Sequence, residues 1–138
     1  MFYSNSSLDE DTGSSALVDP AAPKLGIYIY WFIIDRTVLS WLKKSINLEQ
    51  IWTTHHHQDH SSGNIELLAS FPFLKVYGSD DRIPAVNVKV KERETWKLGS
   101  CTVQALYTPG HTTGCISYYV VDQKRNQTRY KEQSEYGN

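Results

Sequence analysis

The stretch that decides the fold of this 138-residue chain is residues 51–64, I-W-T-T-H-H-H-Q-D-H-S-S-G-N, which holds four of its five histidines. The fifth, His111, lies in residues 108–114, T-P-G-H-T-T-G. A strand-like run, residues 50–54, comes directly before the first cluster, and the turn-forming sequence S-S-G-N ends it. We therefore expect the first cluster to lie in a loop at the end of a strand, where α/β sheets usually place their ligands.

The spacing within this cluster is typical of a metal site. His55, His57, Asp59 and His60 form the pattern H-x-H-x-D-H. Side chains alternate faces along an extended chain, so the first three are predicted to project to one side, and a following turn brings His60 alongside. Zinc, iron and manganese all accept imidazole and carboxylate ligands, and a site without thiolates is more typical of catalysis than of structure. The alternative is a solvated histidine tract. The aspartate within the cluster, the strand before it and the turn after it count against that alternative.

Both histidine segments resemble a known family. T-H-H-H-Q-D-H-S-S-G-N is similar to the T-H-x-H-x-D-H signature of the metallo-β-lactamase superfamily, and residues 108–114 resemble its downstream loop with the third histidine of the first metal site. Within that superfamily, residues 76–85, V-Y-G-S-D-D-R-I-P-A, are similar to the hydroxyacylglutathione hydrolases (glyoxalase II), as are residues 16–20 and 96–100. The resemblance implies an α/β fold of the αββα metallo-β-lactamase type.

The same resemblance implies a two-metal hydrolase, with zinc as the expected metal and iron or manganese as alternatives. The ligands of the first metal are matched by His55, His57 and His111. Two ligands of the second metal are matched by Asp59 and His60, and Asp59 is also implied to orient the attacking hydroxide. The implied partner is a small glutathione thioester, S-lactoylglutathione, which would be hydrolysed to lactate and glutathione in methylglyoxal detoxification.

Two further ligands of the family have no match in this sequence. No histidine follows His111, and the only later aspartate, Asp122, lies in V-V-D-Q-K rather than in a G-D motif. The family's second β-layer and its glutathione-binding helical region were not recognised either. We therefore expect an incomplete αββα sandwich that corresponds to the N-terminal half of the fold, with one firm metal site and impaired activity.

Two other functions stay open at this point. The chain is also compatible with a non-catalytic truncated isoform or fragment that binds at most one metal. It is compatible, too, with another superfamily branch, such as a mononuclear iron persulfide dioxygenase or a nucleic-acid-processing enzyme. The similarity of residues 76–85 to the hydroxyacylglutathione hydrolases and the absence of a basic patch count against that branch.

The chain is predicted to form one domain with loose ends. We expect a flexible N-terminus over residues 1–15, a metallo-β-lactamase-like domain over residues 16–121 and a polar tail over residues 122–138. No counterpart was recognised for the strand that precedes A-L-V-D-P in the family. The other predicted strands cover residues 16–19, 50–54, 73–77, 86–91, 96–107 (with a break at Ser100) and 115–121, and a helix is predicted over residues 64–70.

One segment does not fit the family pattern. Residues 25–34, L-G-I-Y-I-Y-W-F-I-I, carry no charge and are too short to span a membrane, which takes about 20 residues. They are predicted to form either a buried strand or an inserted apolar piece. Asp35 is predicted to cap a helix over residues 36–46.

Composition restricts partners and compartment. With 14 Lys and Arg against 15 Asp and Glu, the net charge of -1 gives no electrostatic reason to expect nucleic acid or an anionic membrane as a partner. Cys101 and Cys115 form no CxxC pair and are predicted to be reduced and buried. The start of the sequence shows no secretory pattern, so a cytoplasmic location is expected, with the mitochondrion as the alternative.

Overall fold

The structure is a computed structural model that describes residues 6–8, 14–21, 47–122 and 127–131. The predicted apolar strand over residues 25–34 and the predicted helix over residues 36–46 lie outside these ranges. In order along the chain, the described elements are β1 (Ser6–Leu8), β2 (Ser14–Val18), β3 (Asn47–Trp52), α1 (Gln58–Ser61), α2 (Asn64–Ser70), β4 (Lys75–Gly78), β5 (Val88–Lys89), β6 (Thr95–Leu98), β7 (Cys101–Tyr107), β8 (Ile116–Asp122) and β9 (Gln127–Lys131).

The first sheet has the strand order β1-β2-β3-β4-β5. Strand β1 is antiparallel to β2, whereas β2, β3, β4 and β5 are parallel to their neighbours. In the register of the central strands, Trp52 is paired with Val18 on one side and with Tyr77 on the other. Parallel strands end at the same edge of a sheet, so the loops that follow β2, β3 and β4 lie next to one another.

The two faces of this sheet are both apolar. Ile51 and Val76 are fully buried on one face, where they pack with Leu67 of α2 and with Leu74. The alternating neighbours Trp52 and Tyr77 belong to a separate apolar cluster. Successive side chains of a strand point to opposite faces of the sheet. A parallel strand whose two faces are both covered therefore has a nearly continuous apolar sequence.

A second sheet of the order β6-β7-β8-β9, antiparallel throughout, packs on that other face. Gly99, with a φ of 55°, makes the tight turn from β6 to β7 that the absence of a Cβ permits. One cluster joins the two sheets, and its members are Ala16, Val18, Trp52, Tyr77, Val90, Leu98, Val103, Ala105, Ile116 and Tyr118. The expectation that the second β-layer is missing is therefore wrong. Of the strands in this second sheet, β6, β7 and β8 were predicted from the sequence, but their pairing into a separate sheet was not.

A buried amide links the sheets through hydrogen bonds. Oε1 of Gln50 accepts from the indole N–H of Trp52 at 2.8 Å and from that of Trp96 at 2.9 Å. Nε2 of the same side chain donates to the carbonyl of Lys97 at 2.8 Å. Both ends of the amide are thus satisfied inside the protein, which avoids the cost of a buried unpaired polar group.

Two strands lie where loose ends were predicted. Strand β1 and the start of β2 fall within residues 1–15, and β9 falls within residues 122–138. Strand β1 was missed because three residues are too few for a periodic pattern. Strand β9 was missed because its sequence, Q-T-R-Y-K, is polar, although charged residues are common on strands at a sheet edge.

Other features agree with the sequence. The predicted helix over residues 64–70 is α2, and Cys101 and Cys115 are buried and not joined by a disulfide. The two helices in the described ranges, α1 and α2, have four and seven residues, and neither could span a membrane.

Candidate metal centre

Three histidines meet at the edge of the first sheet. His55 and His57 lie in the loop after β3, and His111 lies in the loop between β7 and β8. One ring nitrogen from each lies within 4.8 Å of the others. Nε2 of His55 lies 3.2 Å from Nδ1 of His57, and Nδ1 of His57 lies 3.0 Å from Nε2 of His111. Ligands at about 2.0–2.1 Å from a tetrahedral zinc lie about 3.3 Å apart, so these two spacings are close to those of such an ion.

Hydrogen bonds between the sheets bring the two loops together. The amide of Ile116 donates to the carbonyl of Thr54 at 3.0 Å. The buried hydroxyl of Tyr118 lies 2.9 Å from the carbonyl of Thr53 and 3.2 Å from that of Tyr77. The start of β8 is therefore held against the ends of β3 and β4. This places the loop before β8, which carries His111, over the loop after β3.

The pKa of two of the three imidazoles is lowered. The pKa of His55 is lowered to about 4, mainly by burial and then by the neighbouring His60. The pKa of His57 is also lowered, by desolvation and then by repulsion from His111. Neutral imidazole has the lone pair that a metal binds, so at neutral pH these two rings are in the ligand form.

Asp19, at the end of β2, supports the cluster and was not identified from the sequence. Its Oδ1 accepts from the amide of Thr54 at 2.7 Å, and its Oδ2 accepts from the hydroxyl of Thr54 at 2.8 Å. That hydroxyl lies 3.0 Å from Nδ1 of His55. Because a threonine hydroxyl has one proton, which goes to Asp19, it accepts from Nδ1–H of His55. The ring is thereby fixed in the tautomer that leaves Nε2 free for a metal.

A signal for Asp19 was present in the sequence. It follows the strand-like A-L-V directly, and a carboxylate at the carboxyl end of a strand parallel to β3 lies at the same sheet edge as the loop after β3. The missing information was that β2 and β3 are neighbours, since residues 19–46 separate them in sequence.

The structure places Asp59 and His60 beside the three-histidine group, not in it. The extended chain ends at His57, whose carbonyl accepts from the amide of His60 at 3.0 Å as α1 begins. The expectation that Asp59 shares a face with His55 is therefore wrong, and its side chain is 62% exposed. The ring of His60 lies 4.2 Å from that of His55, centroid to centroid.

The two nitrogens of His60 each face a carboxylate. Nδ1 lies 3.1 Å from Oδ2 of Asp19, and Nε2 lies 3.4 Å from Oδ2 of Asp59. Burial lowers the pKa of His60, but the hydrogen bond to Asp19 and the charges of both carboxylates outweigh it, so the pKa is raised overall. The pKa of His60 is thus raised and that of His55 lowered, although the centroids of the two rings lie 4.2 Å apart.

The sequence matches a known protein family and individual relatives. The family model of the metallo-beta-lactamase superfamily matches residues 1–125. The chain is 43% identical over 111 residues to the probable hydroxyacylglutathione hydrolase glo2 of Schizosaccharomyces pombe, covering 80% of this chain and 40% of that protein. It is 34% identical over 117 residues to a hydroxyacylglutathione hydrolase-like protein of Bos taurus, covering 85% and 55%. The chain thus spans between two fifths and just over half of the length of these relatives.

Solved structures share the fold. ETHE1 from Myxococcus xanthus superposes with a TM-score of 0.66 at 27% identity, over 87% of this chain and 52% of that one. A metallo-beta-lactamase from Cronobacter sakazakii with a mutated HARLDQ motif superposes with a TM-score of 0.63 at 21% identity, over 84% and 52%. The predicted α/β fold is confirmed by these likenesses and by the two packed sheets.

Proposed function

The chain belongs to the metallo-beta-lactamase superfamily, and from this membership we propose that it carries the metal centre of a glutathione thioester hydrolase of the hydroxyacylglutathione hydrolase type. The observation that carries the proposal is the convergence of His55, His57 and His111. The 43% identity to a probable hydroxyacylglutathione hydrolase supports the substrate class. A small-molecule substrate and a cytoplasmic or mitochondrial setting are part of the same proposal.

The donor set favours zinc, with iron or manganese as alternatives. Three imidazoles without a thiolate suit zinc and iron, whereas manganese prefers oxygen ligands such as the carboxylate of Asp59. An ion held there would supply a Lewis acid for the thioester carbonyl and a hydroxide nucleophile near neutral pH. His55 is buried, His57 is partly buried and His111 is exposed. The substrate would therefore approach from the side of His111, while Thr54 and Asp19 hold the buried ring in position from the other side.

A second and weaker metal position is proposed between Asp59 and His60. Because Nδ1 of His60 faces Asp19, its Nε2 is the nitrogen available to an ion. This atom lies 3.4 Å from Oδ2 of Asp59, close to the spacing of about 3.3 Å expected for two ligands of one ion. Two protein ligands bind a metal less firmly than three or four. We therefore expect Asp59 to orient a nucleophile only in that fraction of molecules that binds a second ion.

The activity of these 138 residues is expected to be low. The chain spans 40% of the length of glo2, so the contacts that hold glutathione in the longer proteins need not all be present. A misplacement of about 1 Å in a reacting group can cost about 10²-fold in rate. We expect slow thioester hydrolysis relative to the longer relatives.

Metal content and thiol release, measured together, test this function. Purified chain would be analysed for bound metal and assayed with S-lactoylglutathione, in comparison with His57→Ala. Gln58→Ala is the matched control, because Gln58 lies in the same tract with an exposed side chain outside the three-histidine group. We expect about one zinc per chain and slow turnover in the unmodified chain and in Gln58→Ala, and neither in His57→Ala. Unmodified chain without bound metal would disprove the proposal, and metal without turnover above free zinc would favour the non-catalytic alternative.

A further inference from the structure

The segment after β4 contacts both loops that supply the three histidines. The hydroxyl of Ser79 donates to the carbonyl of Gly114 at 2.6 Å, in the loop of His111. Oδ2 of Asp80 lies 3.7 Å from Nδ1 of His56, in the loop of His55 and His57. That nitrogen is buried and makes no hydrogen bond within the described part of the chain, so the Asp80 carboxylate is the polar group that faces it. Residues 79 and 80 thus lie between the two loops.

The contact with the second loop is close. A Cβ added to Gly114 would lie 2.6 Å from Oδ2 of Asp80 and 2.8 Å from its Cβ. Real Cβ atoms do not approach so closely, so only glycine lets the loop rest against Asp80 at this position. A Cβ on Gly110, in the same loop, would meet no atom within 4 Å. The close approach is therefore specific to the side of the loop that faces Asp80.

Arg82 fixes the orientation of Asp80. Its Nε donates to both carboxylate oxygens at 3.0 Å, and its backbone amide donates to Oδ1 at 2.9 Å. Nη2 of Arg82 also reaches the hydroxyl of Thr113 at 3.4 Å, which adds a second link to the loop of His111. The neighbouring Asp81 pairs with Lys89 instead of an arginine, and its side chain is 82% exposed.

We propose that Asp80 is a positioning residue of the three-histidine group: it holds the loop of His55 and His57 and the loop of His111 at the separation that lets one metal ion contact all three rings. The inference rests on the metal binding proposed above and deepens it. Residues that orient metal ligands without touching the metal typically change its affinity about 10- to 100-fold when they are replaced. No such role was suggested by the sequence, in which Asp80 and Asp81 are equivalent neighbours.

The first test compares Asp80→Asn with Asp81→Asn. Each variant removes one charge and keeps the shape of the side chain. The Zn²⁺ dissociation constant would be measured on the full chain by competition with a chromophoric chelator, and the visible spectrum of the Co²⁺-loaded chain would be recorded. We expect Asp80→Asn to weaken Zn²⁺ binding about tenfold or more and to change the Co²⁺ spectrum, and Asp81→Asn to remain within about twofold of the unmodified chain.

The second test displaces the loop without changing any charge. Gly114→Ala pushes the loop of His111 away from Asp80, whereas Gly110→Ala adds the same methyl group to open space. We expect Gly114→Ala to weaken Zn²⁺ binding in the same direction as Asp80→Asn, with Gly110→Ala unchanged. If Asp80→Asn is poorly folded, this pair decides the question.

The outcomes separate this inference from the proposed function. Thermal unfolding of the metal-free variants shows whether each is folded. Unmodified chain that binds no Zn²⁺ overturns the proposed function. Firm binding by the unmodified chain, with equal binding by all four variants or a loss that only follows the unfolded fraction, overturns the positioning role of Asp80 and leaves the proposed function intact.

Discussion

Oδ2 of Asp19 lies 3.1 Å from Nδ1 of His60 and thereby joins the end of β2 to α1 across 41 residues of sequence. The same carboxylate accepts two hydrogen bonds from Thr54, directly before the first histidine. A single buried side chain thus anchors both ends of the histidine loop. The backbone φ of Asp19, 50°, lies in the left-handed region, which asparagine and aspartate tolerate better than most residues.

Replacement of Asp19 by asparagine should destabilise the chain while the backbone conformation is kept. Hydrogen bonds to a buried charged group contribute about 1.5–3 kcal/mol each, and asparagine can retain part of them, so we expect a loss of about 1–3 kcal/mol in the free energy of unfolding. Urea unfolding of the metal-free chain measures it. Asp59→Asn, which changes an exposed side chain, should stay within about 0.5 kcal/mol. Equal effects of the two variants would contradict the anchoring role of Asp19.

Replacement of Gln50 by leucine should weaken the contact between the sheets. It removes the acceptor of the Trp52 and Trp96 indoles and the donor to Lys97, and buried polar groups left unpaired cost about 1–3 kcal/mol each. Since Trp96 is only partly buried and Lys97 is exposed, we expect about 2–4 kcal/mol of destabilisation by urea unfolding. Gln104→Leu is the control, because the hydrogen bond that its Nε2 donates to the carbonyl of Arg93, at 3.3 Å, is exposed. A small effect of Gln50→Leu would show that water or rearrangement satisfies the two indoles.

The ion pair of Asp80 and Arg82 should make stability depend on acid pH. The hydrogen bond from Arg82 lowers the pKa of Asp80 to about 2, from 3.8. A carboxyl with a lowered folded-state pKa stabilises the fold above the unfolded pKa and loses that contribution as pH falls through the folded value. Since Arg82 is 55% exposed, we expect about 1 kcal/mol in favour of the unmodified chain over Asp80→Asn at pH 6, and about half of it at pH 3. Urea unfolding at both pH values measures the difference, and a gap that widens in acid would refute the assignment.

Zinc should stabilise the folded chain by mass action. A ligand that binds only the folded state at about 100 times its dissociation constant adds about 2.7 kcal/mol to the free energy of unfolding. We expect this increase in the unmodified chain and in Gln58→Ala, its reversal by a chelator, and its absence in His111→Ala. Thermal unfolding with and without zinc makes the comparison. An increase that survives His111→Ala would mean that the metal binds elsewhere.

The local patterns were sufficient for the family and for much of the fold. The spacing of His55 and His57 and the sequence T-P-G-H around His111 predicted superfamily membership, which is confirmed. Helix α2 and strand β7 lie where they were predicted, because their sequences carry a regular period. The metal-ligand roles of Asp59 and His60 stay predictions, since the structure places these residues beside the three-histidine group.

The sequence by itself determined which residues are available to a metal, because ligand type and short spacings are local properties of the chain. Only the tertiary structure decided which of them meet. The place of Asp19 beside His60 and the position of Asp80 between the two loops depend on which strands are neighbours. The physical reason is that strand pairing and sheet packing are set by the burial of side chains far apart in sequence, and no local pattern carries that information.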